Sequence, residues 1–497
     1  MMTVPATATK LQEVLSSGTE PYLMTGEQYK ESLRDGRTII DSNGDIVKDP
    51  VNHPQLKNGI NTLAKMYDAQ FDPELQHITT FIDNETGNKY STDWLIPRTQ
   101  EDLQLRREAL KMSTYQTFGV FGRPNDYGSM MAMGFLSVID RIEEEDKQLA
   151  ENVRNFVEFS QKHNIISADL IPEVQSDRRI PINKREGRLR IVEKRSDGVV
   201  LYGAKPCASV AAQGHFMTVS TALSPGLNED AAIWCAVPVN SEGLSIVLRE
   251  PVTPSDSNFD DHPLDSFGEE LDSMMIFDHV FIPNEYLFSV GNIKLLGLYR
   301  ESCAIAHWHI LARLMYRAEI FSGVAQTIAD ILDTKSFQGV RDSVTEVIAY
   351  EATLKAFVLA AEQQAENWND ILVPSDELIT VGRLHSIENY PKVMHILRDI
   401  SGQGLISRFT KKTWEHPKVG SKLDKMLKGT NASAFEKNRF FNFVWDLTCS
   451  SHAARVALFE NVNSTNAPIV KAEIFASYNR EQQVKFIRDY LKLPVQE

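Results

Sequence analysis

An arginine and a tyrosine four positions apart, Arg123 and Tyr127, sit in the stretch TFGVFGRPNDYGSM at residues 117–130. The arginine is a cation at any working pH, and the tyrosine adds an O–H that donates or accepts. A turn that brings both heads to one spot could hold a carboxylate or phenolate, or steady a developing oxyanion. A surface pair of Arg123 with Asp126 beside a buried aromatic is the plainer alternative, and spacing alone does not separate the two. Gly119, Gly122, Pro124, Asn125, Asp126 and Gly128 crowd the same stretch, so a helix must break there.

Other chemistries find no anchor. The chain has no G-x-x-x-x-G-K-[ST] and no G-x-G-x-x-G after a strand, so neither a P-loop nor a dinucleotide-binding unit is supported. It also lacks G-x-S-x-G and H-E-x-x-H. Cys207, Cys235, Cys303 and Cys449 are far apart, which excludes an obvious zinc or disulfide framework and fits a reducing compartment. His307 and His309 lie two apart on an expected helix, the wrong spacing for a shared metal. No metal site is expected. A formal net charge of -15 argues against nucleic acid or anionic membrane as partner. No apolar run nears the roughly 20 residues that span a bilayer, and the first residues lack a signal core, so a cytoplasmic location is expected.

The elements that must position the Arg123–Tyr127 turn follow from caps and periodicity. Thr25 with Gln28 and Thr99 with Asp102 read as capping boxes, the second opening a helix that leads into the turn. Asn43-Gly44 reads as a hairpin turn. A helix is expected over about residues 143–163, with Leu149, Val153 and Phe156 at helical spacing. LRIVEKRSDGVVLYGAK reads as a hairpin around Asp197-Gly198, and further β-rich runs reach Phe288. Without intervening helices, these strands predict an antiparallel barrel or sandwich. Long helices then follow over about 302–332, 340–368, 377–400 and 435–459.

Four ordered segments resemble one family: GRPNDY at 122–127, YGAKPCAS at 202–209, FDHVFIPNEYL at 277–287 and NRFFNFVWDL at 438–447. From about residue 20 to 480 the chain resembles the oxygenase components of the 4-hydroxyphenylacetate 3-monooxygenase family, two-component flavin-dependent aromatic hydroxylases. The resemblance implies an α+β, acyl-CoA dehydrogenase-like fold: a helical domain over 1–165, a central antiparallel β-barrel over 166–290, and a helical bundle over 291–497. It implies FAD, used as FADH2 from a separate NAD(P)H:flavin reductase, and dioxygen, with an aromatic substrate hydroxylated through a flavin C4a-hydroperoxide. The implied substrate is a small phenolic or related aromatic molecule, free or tethered to a carrier. A homotetramer is implied as well.

Carried over by residue, Arg123 and Tyr127 face the phenol. Ser209 lies beside the isoalloxazine at N5 or O4. Gln175, Asp177 and Arg178, in PEVQSDR at 172–178, contact the flavin phosphate and ribose. Arg455, in AARVALFE, contacts the diphosphate of a flavin held by a neighbouring subunit. One departure stands out: where the family has a histidine for the substrate phenol, this chain has Ser167, and NIISADLIP contains none. His215, His307 and His309 are either substitutes for it or structural histidines, and Ser167 and His215 are taken with Arg123 and Tyr127 as substrate-binding candidates. Two other branches compete. A 4-hydroxybutyryl-CoA dehydratase would need cluster cysteines before Cys207, and an acyl-CoA dehydrogenase would use a bundle glutamate such as Glu301, Glu319 or Glu346. A non-catalytic binding protein on a flavin fold is the third alternative.

Overall fold

The computed structural model describes residues 6–463 and 465–494. The anticipated caps are in place. Thr25 Oγ1 accepts from the Gln28 N–H at 3.2 Å while the Gln28 side chain accepts from the Thr25 N–H at 2.9 Å. Thr99 and Asp102 form the same reciprocal pair at the head of the helix Gln100–Gln116. The helix expected from residue 143 is two helices, Ile139–Glu145 and Lys147–His163. Asp146 divides them, because its carboxylate caps the second by accepting from the Gln148 N–H at 2.8 Å.

The β region is two sheets, of five and four strands, mixed and not wholly antiparallel. One runs, in spatial order, Thr38–Ile40, Leu244–Leu248, Ser273–Pro283, Gly198–Lys205 and Arg190–Lys194; the other runs Leu287–Val290, Ile233–Pro238, Phe216–Ser220 and Ser167–Leu170. Gly198–Lys205 and Arg190–Lys194 form the expected hairpin. Two pairings are parallel and long-range: Thr38–Ile40 on Leu244–Leu248, and Ser167–Leu170 on Phe216–Ser220. The Asn43-Gly44 turn does form, with Ile40 bridged to Ile46, but the strand before it belongs mainly to the distant sheet.

Helices Ala304–Leu332, Gln338–Gln363 and Asp376–Ser401 pack on one another as the bundle. The first is apolar nearly all round and is accordingly buried. The second stops at Gln363, short of the expected 368, because residues 366–368 pair with Ile371–Val373 in a small hairpin. Residues 435–459 divide at Cys449-Ser450 into Ala434–Thr448 and Ser451–Asn463. The helix Ser451–Asn463 is fastened to the bundle by Glu460, which takes Arg313 through both oxygens at 2.7 Å and Arg317 at 3.2 Å, all three buried. Among the described residues, no helix is long and apolar enough to cross a membrane.

Candidate active site

A cavity of about 560 Å³ lies where three parts of the chain meet: the 117–130 turn, the ends of strands from both sheets, and the helices Ala304–Leu332 and Ser451–Asn463. Its volume suits a small-molecule site. Arg123 and Tyr127 both line it. The guanidinium carbon stands 3.9 Å from the Tyr127 ring centroid and 5.4 Å from that of Phe459, so the cation is stacked between aromatic faces. The plainer reading of the turn fails, because Arg123 is buried and its acidic partner is not Asp126. Asp126 instead accepts from His309 at 2.9 Å and lies 3.7 Å from Arg106. That orientation leaves the helix Tyr127–Ser137 without a side-chain cap.

The partner of Arg123 is Asp169, with Nη1 to Oδ1 at 3.0 Å. Asp169 is buried on the edge strand Ser167–Leu170, and its side chain reaches the cavity wall. Burial lifts its carboxyl above the ordinary range, against the pull of Arg123. Burial opposes the charge of Arg123, but Asp169, Tyr127 and Glu270 outweigh it and hold the guanidinium cationic. Burial also raises the Tyr127 phenol, which stays protonated as a donor.

The turn itself is clamped from behind. The N–H groups of Gly122 and Arg123 donate to the two oxygens of Glu270 at 2.7 and 2.6 Å. Arg455 donates to Glu270 at 3.0 Å and forks onto Asp272, which also accepts from Arg249 at 3.1 Å and from the Ser209 hydroxyl at 2.6 Å. Two glycines permit the close approach. A Cβ on Gly122 would stand 2.1 Å from the Phe459 ring, and one on Gly128 would stand 2.1 Å from the Ser167 carbonyl.

The expected site residues therefore divide. Arg123, Tyr127 and Arg455 meet at one cavity. Ser209 is buried next to it, where its hydroxyl donates to Asp272, and Cys207 lines the wall. Arg455 lines the cavity and is ion-paired with Asp272 and Glu270 of its own chain, which makes it a hub between the β region and the last turns of this wall. Gln175, Asp177 and Arg178 are exposed on the loop leading away from Ile171 and Pro172 at the cavity rim. There Asp177 is held by Arg179 at 2.6 Å.

Ser167 is buried beneath Gly128 and does not line the cavity, whereas Asp169, two residues on and on the same strand face, does. His215 does not line the cavity. Its Nδ1 accepts from the Ile166 N–H and its Nε2 meets Ser32, so it is a structural histidine, and burial lowers its pKa to about 3. His307 does line the cavity, where burial keeps it neutral. None of Glu301, Glu319 or Glu346 lines it.

The site fits a flavin with a ring substrate. The segment after Lys205 is strained at the cavity: Cys207 has φ 56° and Val210 φ 66°, a conformation a β-branched residue adopts only when its surroundings enforce it. Such strain accumulates at preorganised ligand clamps.

The description "4-hydroxyphenylacetate 3-hydroxylase N terminal" matches residues 25–289, and the corresponding C-terminal description matches 297–492. The chain is 30% identical to the 4-hydroxyphenylacetate 3-monooxygenase oxygenase component of Thermus thermophilus, covering 94% of this chain and 97% of the relative. It is 29% identical to the oxygenase component of a 4-nitrophenol 4-monooxygenase/4-nitrocatechol 2-monooxygenase of Rhodococcus opacus, over 93% and 89%. A crystal structure of a 4-hydroxyphenylacetate 3-monooxygenase oxygenase component complexed with FAD and 4-hydroxyphenylacetate superimposes with a TM-score of 0.88 at 29% identity, covering 94% and 98%. With both halves matched in order around one aromatic-lined cavity, the chain belongs to the 4-hydroxyphenylacetate 3-hydroxylase family.

Proposed function

We propose that this chain is the oxygenase component of a two-component system and hydroxylates a phenolic ring using FADH2 and dioxygen. The observation that carries the reading is the Arg123–Tyr127 turn. It places a permanent cation and a phenolic donor side by side on the wall of a mostly apolar cavity.

Bound reduced flavin with dioxygen supplies an electrophilic oxygen; the rest is the chain's task. Arg123 and Tyr127 bind the hydroxyl of the substrate and fix which ring carbon faces the oxidant. Met131, Ile171, Ala306 and Ile310 exclude water around the ring. Glu270 and the Arg455 hub hold the turn so that neither head must reorganise during reaction. Cys207, with the exposed loop that carries Gln175, Asp177 and Arg178, forms the side from which the flavin enters. Without a dinucleotide-binding motif, the chain takes its reduced flavin from a separate NAD(P)H:flavin reductase.

The homotetramer belongs to the same proposal. The helix Glu481–Leu491 buries no residue in its own chain and exposes Phe486, Ile487 and Tyr490, an apolar face suited to a neighbouring subunit.

The test is Arg123→Gln with FADH2 and a panel of phenols. Reduced flavin should still be consumed, while hydroxylated product per flavin falls at least tenfold and hydrogen peroxide rises to match. Unchanged coupling would remove Arg123 from the chemistry.

A further inference from the structure

Resting on that reading, the arrangement of Asp169 against Arg123 selects among phenols. Arg123 Nη1 and Asp169 Oδ1 are 3.0 Å apart, yet neither atom has a well-aligned hydrogen bond within the chain, although both are buried at the cavity wall. Buried charged groups keep such unsatisfied capacity at a cost, unless a ligand completes it. The missing partner must therefore accept from a guanidinium N–H and donate to a carboxylate oxygen at the same point. A hydroxyl does both, whereas a phenolate only accepts and would meet the Asp169 charge head-on.

The surroundings do not tip the balance toward an anion. Arg123, Arg249 and Arg455 face Asp169, Asp272, Glu269 and Glu270, so every guanidinium already has a carboxylate. Asp169 is faced by Arg123 and Tyr127 from the turn, by Lys205 from the other sheet, and by Tyr299 and Cys303 at the start of the bundle. Lys205 is occupied by Glu173 at 2.7 Å and the Ile171 carbonyl at 3.1 Å. Neutral His307 adds no charge.

We propose that the site binds its substrate as the neutral phenol, bridging Arg123 and Asp169, and that Asp169 is the catalytic base that takes the phenolic proton as the ring reacts. When the O–H bond breaks, its electron pair flows into the ring and the ortho carbon forms a bond to one atom of dioxygen. The proton moves to the Asp169 carboxylate. The ring becomes aromatic again as that carbon loses its hydrogen, and Asp169 returns its proton to the phenolic oxygen. Dioxygen is the oxidant and reduced flavin the two-electron reductant: the O–O bond breaks as the C–O bond forms, and the ring proton with the two hydrogens of the reduced flavin completes the new hydroxyl and the water that carries away the second oxygen. A raised carboxyl makes Asp169 a stronger base than an exposed aspartate. The substrates so favoured are weakly acidic phenols, ahead of nitrophenols that are ionised near neutral pH.

The protein as isolated can be titrated with 4-nitrophenol, whose ionised form has its own visible band. At a pH where about half of the free ligand is ionised, binding to the wild type should weaken that band, with the bound ligand ionising about one to three pH units higher. In Asp169→Asn the sign should reverse, the band growing on binding as Arg123 loses its counter-charge. Turnover of 4-hydroxyphenylacetate by this variant should fall about 100-fold or more, and that of 4-nitrophenol less than tenfold.

A wild-type complex holding nitrophenolate would overturn the inference while leaving the monooxygenase reading intact, and it needs no variant to be seen. Equal losses on both substrates would remove Asp169 as the base. Failure of every phenol to bind would sink the substrate class and this inference together.

Discussion

Glu270 offers the sharpest test of how the turn is held. Three donors converge on its two oxygens: the Gly122 N–H and Arg455 on one, and the Arg123 N–H on the other. Glu270→Gln preserves size but sets an amino group against a donor whichever way the amide is turned. Losing one partner of a buried ion pair costs about 3–5 kcal/mol. Arg455 keeps Asp272, so the substitution falls at the lower end, about 3 kcal/mol. Freed of its clamp, the turn shifts Arg123 relative to the cavity, and misplacement by about 1 Å costs roughly 100-fold in rate. The assay pairs the urea midpoint with product formed per FADH2 oxidised. Glu270→Gln should lower both, with peroxide rising as product falls. A variant with wild-type midpoint and wild-type coupling would refute the claim that Glu270 organises the turn.

Two further outcomes follow from the packing. Gly128→Ala forces a methyl against the Ser167 carbonyl, where the ideal Cβ stands only 2.1 Å away, so Tyr127 must move away from the strand that carries Asp169. The KM for the phenol should rise at least tenfold; an unchanged KM would show that the helix adjusts without moving the site. His215 is buried and neutral, with a pKa lowered from 6.5 to about 3, chiefly by burial and then by Arg37. The unfolded chain takes up this proton first, so stability is full above about pH 6.5 and is lost as pH falls toward 3, by at most about 5 kcal/mol. His215→Gln should flatten that part of the acid-unfolding profile, and an identical slope would place the effect elsewhere.

The parts of this molecule that are local in sequence were legible there. Caps at Thr25 and Thr99, the hairpin over 190–205, the long bundle helices and the Arg123–Tyr127 turn each depend on residues a few positions apart. What escaped depends on distant residues meeting. Asp169 lies in a short apolar run and gains meaning only because the parallel pairing with Phe216–Ser220 sets its strand beneath the turn. Ser167 shares that strand and its face but is buried beneath Gly128, so the residue that reaches the cavity is Asp169. The partners of Arg455 were not legible, since Glu270 and Asp272 come from the β region about 185 residues earlier. Ser209 looked like a free hydroxyl for the same reason: its acceptor, Asp272, is 63 residues away. Strand spacing left a barrel or a sandwich open, and it does not reveal that Thr38–Ile40 joins the edge of the five-stranded sheet beside Leu244–Leu248.

The central claim is oxygen transfer from dioxygen to a phenol, and isotope labelling tests it most directly. Protein, anaerobically reduced FAD and 4-hydroxyphenylacetate or another weakly acidic phenol are mixed with 18O-labelled dioxygen, and the product is weighed by mass spectrometry. A dihydroxylated ring carrying one labelled oxygen, formed only when protein is present, is the predicted result. Flavin oxidised at the rate found in buffer alone, with every phenol recovered unlabelled, would contradict the account.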